Sequence, residues 1–280
     1  MKKDILTKFF DSYSENVDNA DSLGYWQLSD LIVESIIQKH IDKTYNGERI
    51  TIMDAGCGTG RWIKKMIKNN TDKNIKFIAY DLFESMLNKA RENLAWQENI
   101  TFIHGDLENI KDVKENSVDL CVSTYSPISF VDDSSKVIWQ IKKVLKKGAE
   151  ALIMGHSFHN AVDSKINNYM AEAEELKTLM EDKKVLWNDM LPPLNIYSIE
   201  DFEQLGRENE IKCIGGYGVT IYAKPQAEDW DPENKQRSGI SNKLENDKAF
   251  FKKVYNIEME NNSKKELINR GVNVFALFRK

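Results

Sequence analysis

Ile50-Thr51-Ile52-Met53-Asp54-Ala55-Gly56-Cys57-Gly58-Thr59-Gly60-Arg61-Trp62 is the stretch from which the rest of this chain is read. The apolar, β-branched run Ile50 to Met53 enters a glycine turn, and Trp62, Ile63, Met66 and Ile67 behind it recur at helical spacing. Strand, glycine turn and helix in that order form the first crossover of an open α/β nucleotide-binding sheet. Main chain at Gly56, Cys57, Gly58 and Gly60 can approach a ligand that side chains would block, and the helix start offers N–H donors.

Working outward, a second apolar strand, Phe77-Ile78-Ala79-Tyr80, ends in Asp81, 21 residues beyond Gly60. An acid at that point can hydrogen-bond a ribose diol. A third strand, Ile100 to Ile103, leads to Gly105-Asp106-Leu107. There a carboxylate can accept from an adenine amino group while the leucine packs near the ring. With Asp54 this makes three carboxylates at one sheet edge, which suit a cationic ligand and repel a pyrophosphate. The glycine spacing also departs from G-x-G-x-x-G. The reading therefore favours S-adenosylmethionine, with its sulfonium and ammonium groups, over NAD. An NAD-dependent oxidoreductase remains the alternative on this ground.

On these residues the chain resembles the class I S-adenosylmethionine-dependent methyltransferases that act on small molecules, over roughly residues 45–155 and more faintly beyond. The resemblance implies an α/β, Rossmann-like sheet of seven strands, mostly parallel with an antiparallel C-terminal hairpin. Helices cover both faces, and a helical N-terminal lid and a cap insertion complete the fold. It also implies that the D-x-G-x-G-x-G loop, Asp54 to Gly60, holds the methionyl part of the cofactor. Asp81 takes the ribose, and Asp106 with Leu107 frames the adenine. Asp81-Leu-Phe-Glu-Ser-Met-Leu87 resembles the family's acid followed by a helix start, which brings Leu82 and Met86 to the cofactor. Leu145-Lys-Lys-Gly-Ala-Glu-Ala-Leu-Ile-Met154 resembles its Leu-Lys-Pro-Gly-Gly turn into strand five, with Lys147 and Ala149 in place of Pro and the second Gly. Ser123, after strand four, is expected to meet the cofactor through its backbone. Tyr13 and Trp26 are expected to reach it from the lid.

A chain of 280 residues can bury a sizeable core. A net charge of −5 gives no basic footprint for nucleic acid. Cys57, Cys121 and Cys213 form no C-x-x-C or Cys/His pattern, so a reduced, cytoplasmic protein without a metal site is expected. No apolar run reaches membrane-spanning length. The partners expected are a small-molecule acceptor and, at most, a second copy of the chain: a monomer or homodimer.

Four segments follow: a lid over 1–45, a cofactor-binding core over 46–155, a cap insertion over 156–199, and completion of the sheet with a helical insertion over 200–280. Helices are expected at 5–20, 28–41, 61–70, 84–95, 134–146, 163–182 and 243–270, with Ser198 and Asp201 capping another. Strands are expected near 118–122, 150–154, 211–214 and 272–278, and a mobile polar loop at 225–242.

A sulfonium methyl is already activated, so catalysis reduces to orientation, exclusion of water and, for some acceptors, a base. Tyr125 in Ser123-Thr-Tyr-Ser-Pro127 is a candidate to orient the acceptor. In Gly155-His-Ser-Phe-His159, His156 is the candidate base, with His159 as its alternate. His104 reads as a turn residue and His40 as part of a surface helix. Arg61 either meets the cofactor carboxylate or is exposed. Trp187, Met190, Leu191, Leu194 and Tyr197 are candidates for an apolar roof. The function expected is methyl transfer to an O or N atom of a small organic acceptor. Peptide or protein methylation and a non-catalytic cofactor-binding subunit are the alternatives.

Overall fold

The structure is a computed structural model that describes residues 2–14, 22–230 and 236–280, with the backbone alone at Tyr13. Among these residues seven strands form one sheet: β1 (Ile50–Ala55), β2 (Ile75–Asp81), β3 (Ile100–His104), β4 (Val118–Ser123), β5 (Leu145–His156), β6 (Lys212–Val219) and β7 (Asn273–Arg279). Their order across the sheet is β3-β2-β1-β4-β5-β7-β6. The first five run parallel. β7 is antiparallel to β5, setting His156 opposite Asn273, and β6 is antiparallel to β7. Strands buried on both faces read as continuous apolar runs, which is why β1, β2 and β4 were legible. Gly215 to Val219, open in sequence between strand and loop, extends β6.

Successive strand side chains point to opposite faces and feed two cores. On one face Ile52, Phe77, Leu120, Leu152 and Phe275 pack with α2 (Gly24–Thr44) and α3 (Arg61–Asn69). On the other, Met53, Ile78, Cys121, Ile153 and Val274 pack with α6 (Ser134–Val144) and α9 (Ile199–Glu208). The lid region holds α2 and α1 (Lys2–Tyr13), so the helix expected at 5–20 starts earlier, and its residues 15–20 lie outside the described residues. α4 (Glu84–Asn93) follows β2, and α5 (Pro127–Phe130) follows β4.

Several expectations are corrected. The single helix at 163–182 is two, α7 (Phe158–Asn167) and α8 (Ala173–Asp182), broken where Met170 turns to φ +49°. The segment also carries a short antiparallel pair, Lys184–Val185 with Leu194–Asn195, over a small core of Ala161, Leu179, Val185, Leu194 and Ile196. The helix at 243–270 is three: α10 (Gly239–Asn246), α11 (Lys248–Asn261) and α12 (Lys265–Ile268). The described part of the 225–242 loop is pinned. The Asp229 carboxylate, 1% exposed, accepts from the Ser238 and Ser241 hydroxyls and from the Gln226 N–H. Finally, His40 is buried, with Nδ1 2.8 Å from Glu150 Oε2 and Nε2 2.9 Å from Tyr217 Oη. The reason is that His40 lies on the inward face of α2 with Val33, Ile36 and Ile37, against the sheet residues Glu150 and Tyr217. The expected capping box at Ser198 and Asp201 is present.

Candidate active site

Strand order reverses between β1 and β4, the switch point at which open α/β sheets bind ligands outside the carboxyl ends of their strands. On the β1 side, Gly56 has φ +86°, and a Cβ on it would stand 2.4 Å from Pro127 Cγ on the β4 side. The two loops thus touch at a point only glycine permits. Gly58, at φ +52°, has nothing within 4 Å of where a Cβ would lie. Its turn also needs glycine, and its free side is open to a ligand. The loop is tied to β2: Gly56 and Cys57 N–H groups donate to the Tyr80 carbonyl at 2.8 and 3.0 Å.

The carboxylates differ in how they are used. Asp81, 6% exposed, accepts from Gly58 N–H (2.8 Å) on one oxygen and Phe83 N–H (2.9 Å) on the other. Each oxygen keeps a second lone pair. Burial raises its pKa, and the backbone donors work against that rise. Asp54 is fully buried, and neither of its oxygens has a hydrogen-bond partner. Burial, reinforced by Asp81, pushes its pKa up to about 8. Asp106 caps a short turn by accepting from Glu108 N–H (2.9 Å), and its other oxygen meets Lys3 of α1. Leu107 and Met86 are buried beside this edge, and Leu82 is half-buried with its carbonyl held by His104 Nε2 at 2.8 Å. His104 is thus the last residue of β3, paired with Asp81, rather than the turn residue expected of it. Asp54 stands orphaned and buried near the end of β1, four residues before the open side of Gly58.

Across the crevice, the Ser123 hydroxyl donates to the Ala55 carbonyl at 2.7 Å, locking β4 to β1. Tyr125 sits at φ +52° and its hydroxyl donates to Asp30. Sequence reading passed over Asp30. It is 3% exposed on α2 and also receives Arg61 and, at 2.9 Å, Lys65. Arg61 thus spends its charge on the lid helix. The Tyr125 ring lies 5.8 Å from Trp26 and 5.9 Å from Trp62. Trp26 in turn lies 5.2 Å from Trp230 and donates from Nε1 to the Asp229 carbonyl. The expected contact by the Tyr13 side chain lies outside the described residues.

His156 ends β5 at the same edge, its ring 6.4 Å from Phe130 and 6.5 Å from Trp187. Burial holds its pKa down to about 4, against a hydrogen bond with Asn273. It is a neutral imidazole at pH 7. His159 is exposed on α7, its ring 5.2 Å from Phe158. Of the residues expected to form a roof, Trp187 reaches the site, Leu194 is core within the 156–199 segment, and Met190 is 66% exposed. Tyr197 belongs to the main core, stacked on Phe202 at 4.8 Å with its hydroxyl donating to the Ile128 carbonyl. Its apolar neighbours in sequence concealed that. Burial raises the Cys57 and Cys121 thiols, so neither is a nucleophile at neutral pH. Among the described residues no cluster of His, Cys, Asp or Glu could hold a metal, and no helix is long and apolar enough to cross a membrane.

Residues 52–148 match the family model described as "Methyltransferase domain". Over that stretch the chain is similar to methyltransferase domains, and its seven-stranded, mostly parallel sheet with an antiparallel C-terminal pair is the Rossmann-like methyltransferase fold. The chain is 30% identical over 160 residues to phosphoethanolamine N-methyltransferase 1 of Triticum aestivum, covering 51% of this chain but 31% of that protein. It is 23% identical over 216 residues to malonyl-[acyl-carrier protein] O-methyltransferase 2 of Ilyobacter polytropus, covering 70% of this chain and 79% of that one. In three dimensions it resembles an S-adenosylmethionine-dependent methyltransferase of Thermotoga maritima described as a possible histamine N-methyltransferase. The TM-score is 0.55 at 15% identity, covering 99% of this chain and 98% of that one.

Proposed function

We propose that the protein transfers the methyl group of S-adenosylmethionine to an O or N atom of a small organic acceptor. The observation that carries this reading is the juxtaposition of a cationic-ligand cradle at Asp54 and Gly58 with an aromatic enclosure around His156 at one sheet edge. Asp54 and the Gly56–Gly60 loop would hold the methionyl end, Asp81 the ribose, and Asp106 with Leu107 the adenine. Bound there, the cofactor supplies a methyl already activated by its sulfonium. The chain contributes orientation, for which roughly 7–11 kcal/mol is available when two reactants are held in line. Phe130 and Trp187 exclude water beside His156. The neutral His156 imidazole can take the proton of a hydroxyl acceptor as the new bond makes it acidic, but with a pKa held down to about 4 it is a weaker base than one poised near the working pH. The named relatives act on nitrogen in one case and on oxygen in the other, and the reading keeps both.

The test is incubation with isotopically labelled methyl donor and a panel of amines, phenols, alcohols and carboxylic acids, followed by mass spectrometry of acceptors and of the protein itself. Label on a small acceptor supports the proposal. Label confined to peptides favours protein methylation. Cofactor binding with no transfer to any acceptor or to cell extract would leave a non-catalytic subunit.

A further inference from the structure

Asp54 poses a charge problem that its position in the fold makes acute. It lies in the centre of the sheet on β1, both oxygens are sealed from solvent, and no donor reaches either. The groups facing it supply no compensation. β2 presents Asp81, whose carboxylate adds repulsion. The glycine loop presents Cys57 and β4 presents Cys121, both thiols that burial keeps protonated. Among the described residues no lysine, arginine or histidine is paired with it. An isolated carboxylate in so dry a place is disfavoured against its neutral acid. The ligand proposed for this crevice carries an ammonium and a sulfonium, and either within reach reverses that preference.

We propose that Asp54 is a neutral carboxylic acid in the ligand-free protein and surrenders its proton to solvent as the cofactor enters, so that binding and ionisation are one event. The inference rests on the cofactor reading above. The balance is simple: the O–H bond of the acid breaks, the proton passes to buffer, and the carboxylate pairs with the incoming cation. The raised pKa of Asp54, about 8, supports the assignment and sets the window. Below pH 8 each ligand bound releases close to one proton, so affinity rises about tenfold per pH unit. Above pH 8 the acid is already ionised and the dependence flattens. The ligand's own α-amino group, with an ordinary pKa of about 7.7–8.0, takes up protons on binding and opposes the effect near pH 8. The clear window is therefore pH 5.5–7, a range set roughly by those two pKa values.

The experiment is isothermal titration calorimetry of the full chain with S-adenosylhomocysteine, and separately with S-adenosylmethionine, near pH 6.5 in phosphate, imidazole and Tris. The slope of observed enthalpy against buffer ionisation enthalpy gives the protons released. Expected are about one proton per site in the wild type, a near tenfold affinity gain per pH unit from pH 5.5 to 7, and neither effect in Asp54→Asn. The wild-type pH series stands alone if that variant does not fold. Tight binding with no proton release overturns the proposal and leaves the cofactor reading intact. Undiminished release from Asp54→Asn also overturns it, transferring the proton to Asp81. No binding of either ligand overturns both.

Discussion

Gly56 and Gly58 stand two residues apart in one loop, both with positive φ, yet the structure assigns their substitutions opposite consequences. An alanine in a left-handed conformation costs about 1–2 kcal/mol. At Gly58 that is the whole penalty to the free protein, because nothing lies within 4 Å of the added methyl. At Gly56 the methyl would also stand 2.4 Å from Pro127 Cγ and 2.7 Å from its Cβ, on a ring that cannot rotate aside. Overpacking of that kind adds roughly 1–3 kcal/mol, for a total near 2–5 kcal/mol. Gly58→Ala should therefore fold with a modestly lowered midpoint, and Gly56→Ala should be the less stable of the two in thermal or urea unfolding. Binding should rank them differently. The Gly58 methyl enters the space proposed for the methionyl group, and a crowding cost of about 1–3 kcal/mol weakens S-adenosylhomocysteine roughly 5- to 150-fold by calorimetry. Wild-type affinity in a folded Gly58→Ala would refute the reasoning, since the open side of that glycine would then not be the ligand's wall.

Three further outcomes are expected. Asp30→Ala removes the buried acceptor shared by Arg61, Lys65 and the Tyr125 hydroxyl, so it should cost about 1–3 kcal/mol in urea unfolding and lower tryptophan-fluorescence anisotropy at the lid; unchanged stability would dismiss the node. Glu150→Gln removes the acid whose burial penalty is outweighed by Lys43, Arg279 and His40, which together hold its pKa at about 2. A loss of roughly 2–4 kcal/mol with unaltered S-adenosylhomocysteine affinity is expected, because Glu150 of β5 pairs with Arg279, away from the His156 end of the strand. For His156 the unfolded chain binds a proton near pH 6.5 while the folded ring resists down to about pH 4. Its contribution is complete above pH 6.5 and drains as pH falls towards 4. Wild type should therefore lose about 1–2 kcal/mol more than His156→Gln between pH 7 and pH 5, measured by urea unfolding at each pH, and equal losses would contradict the burial of that ring.

What the chain discloses in sequence is what neighbours along it determine. The strands before Gly56 and Asp81 show themselves because both faces are buried and each ends at a residue of special chemistry, whereas β3, a half-exposed edge strand, shows itself by its β-branched and aromatic run into Gly105 and Asp106. The capping box at Ser198 is legible because its partners lie three residues apart. Asp30, His40 and Tyr197 were hidden for the opposite reason. Asp30 acquires its role from Arg61 and Tyr125, His40 from Glu150 and Tyr217, and Tyr197 from Ile128 and Phe202. Helical spacing on α2 marks one apolar side correctly, but it carries no sign that α10 and α11 pack against the helix as well. The break at Met170 has no glycine or proline to announce it.

The placement of β7 inside β6 bears on how this molecule is made. On the ribosome β6 is complete some fifty residues before the strand it pairs with, and the wet outer side of α2 waits longer still for α10 and α11. At synthesis rates of about 5–20 residues per second, that leaves an uncovered helix for roughly 10–40 s. Nascent chains stalled anywhere before residue 273 should therefore remain sensitive to protease and to capture by chaperones, and should become resistant together once the closing strand slots home.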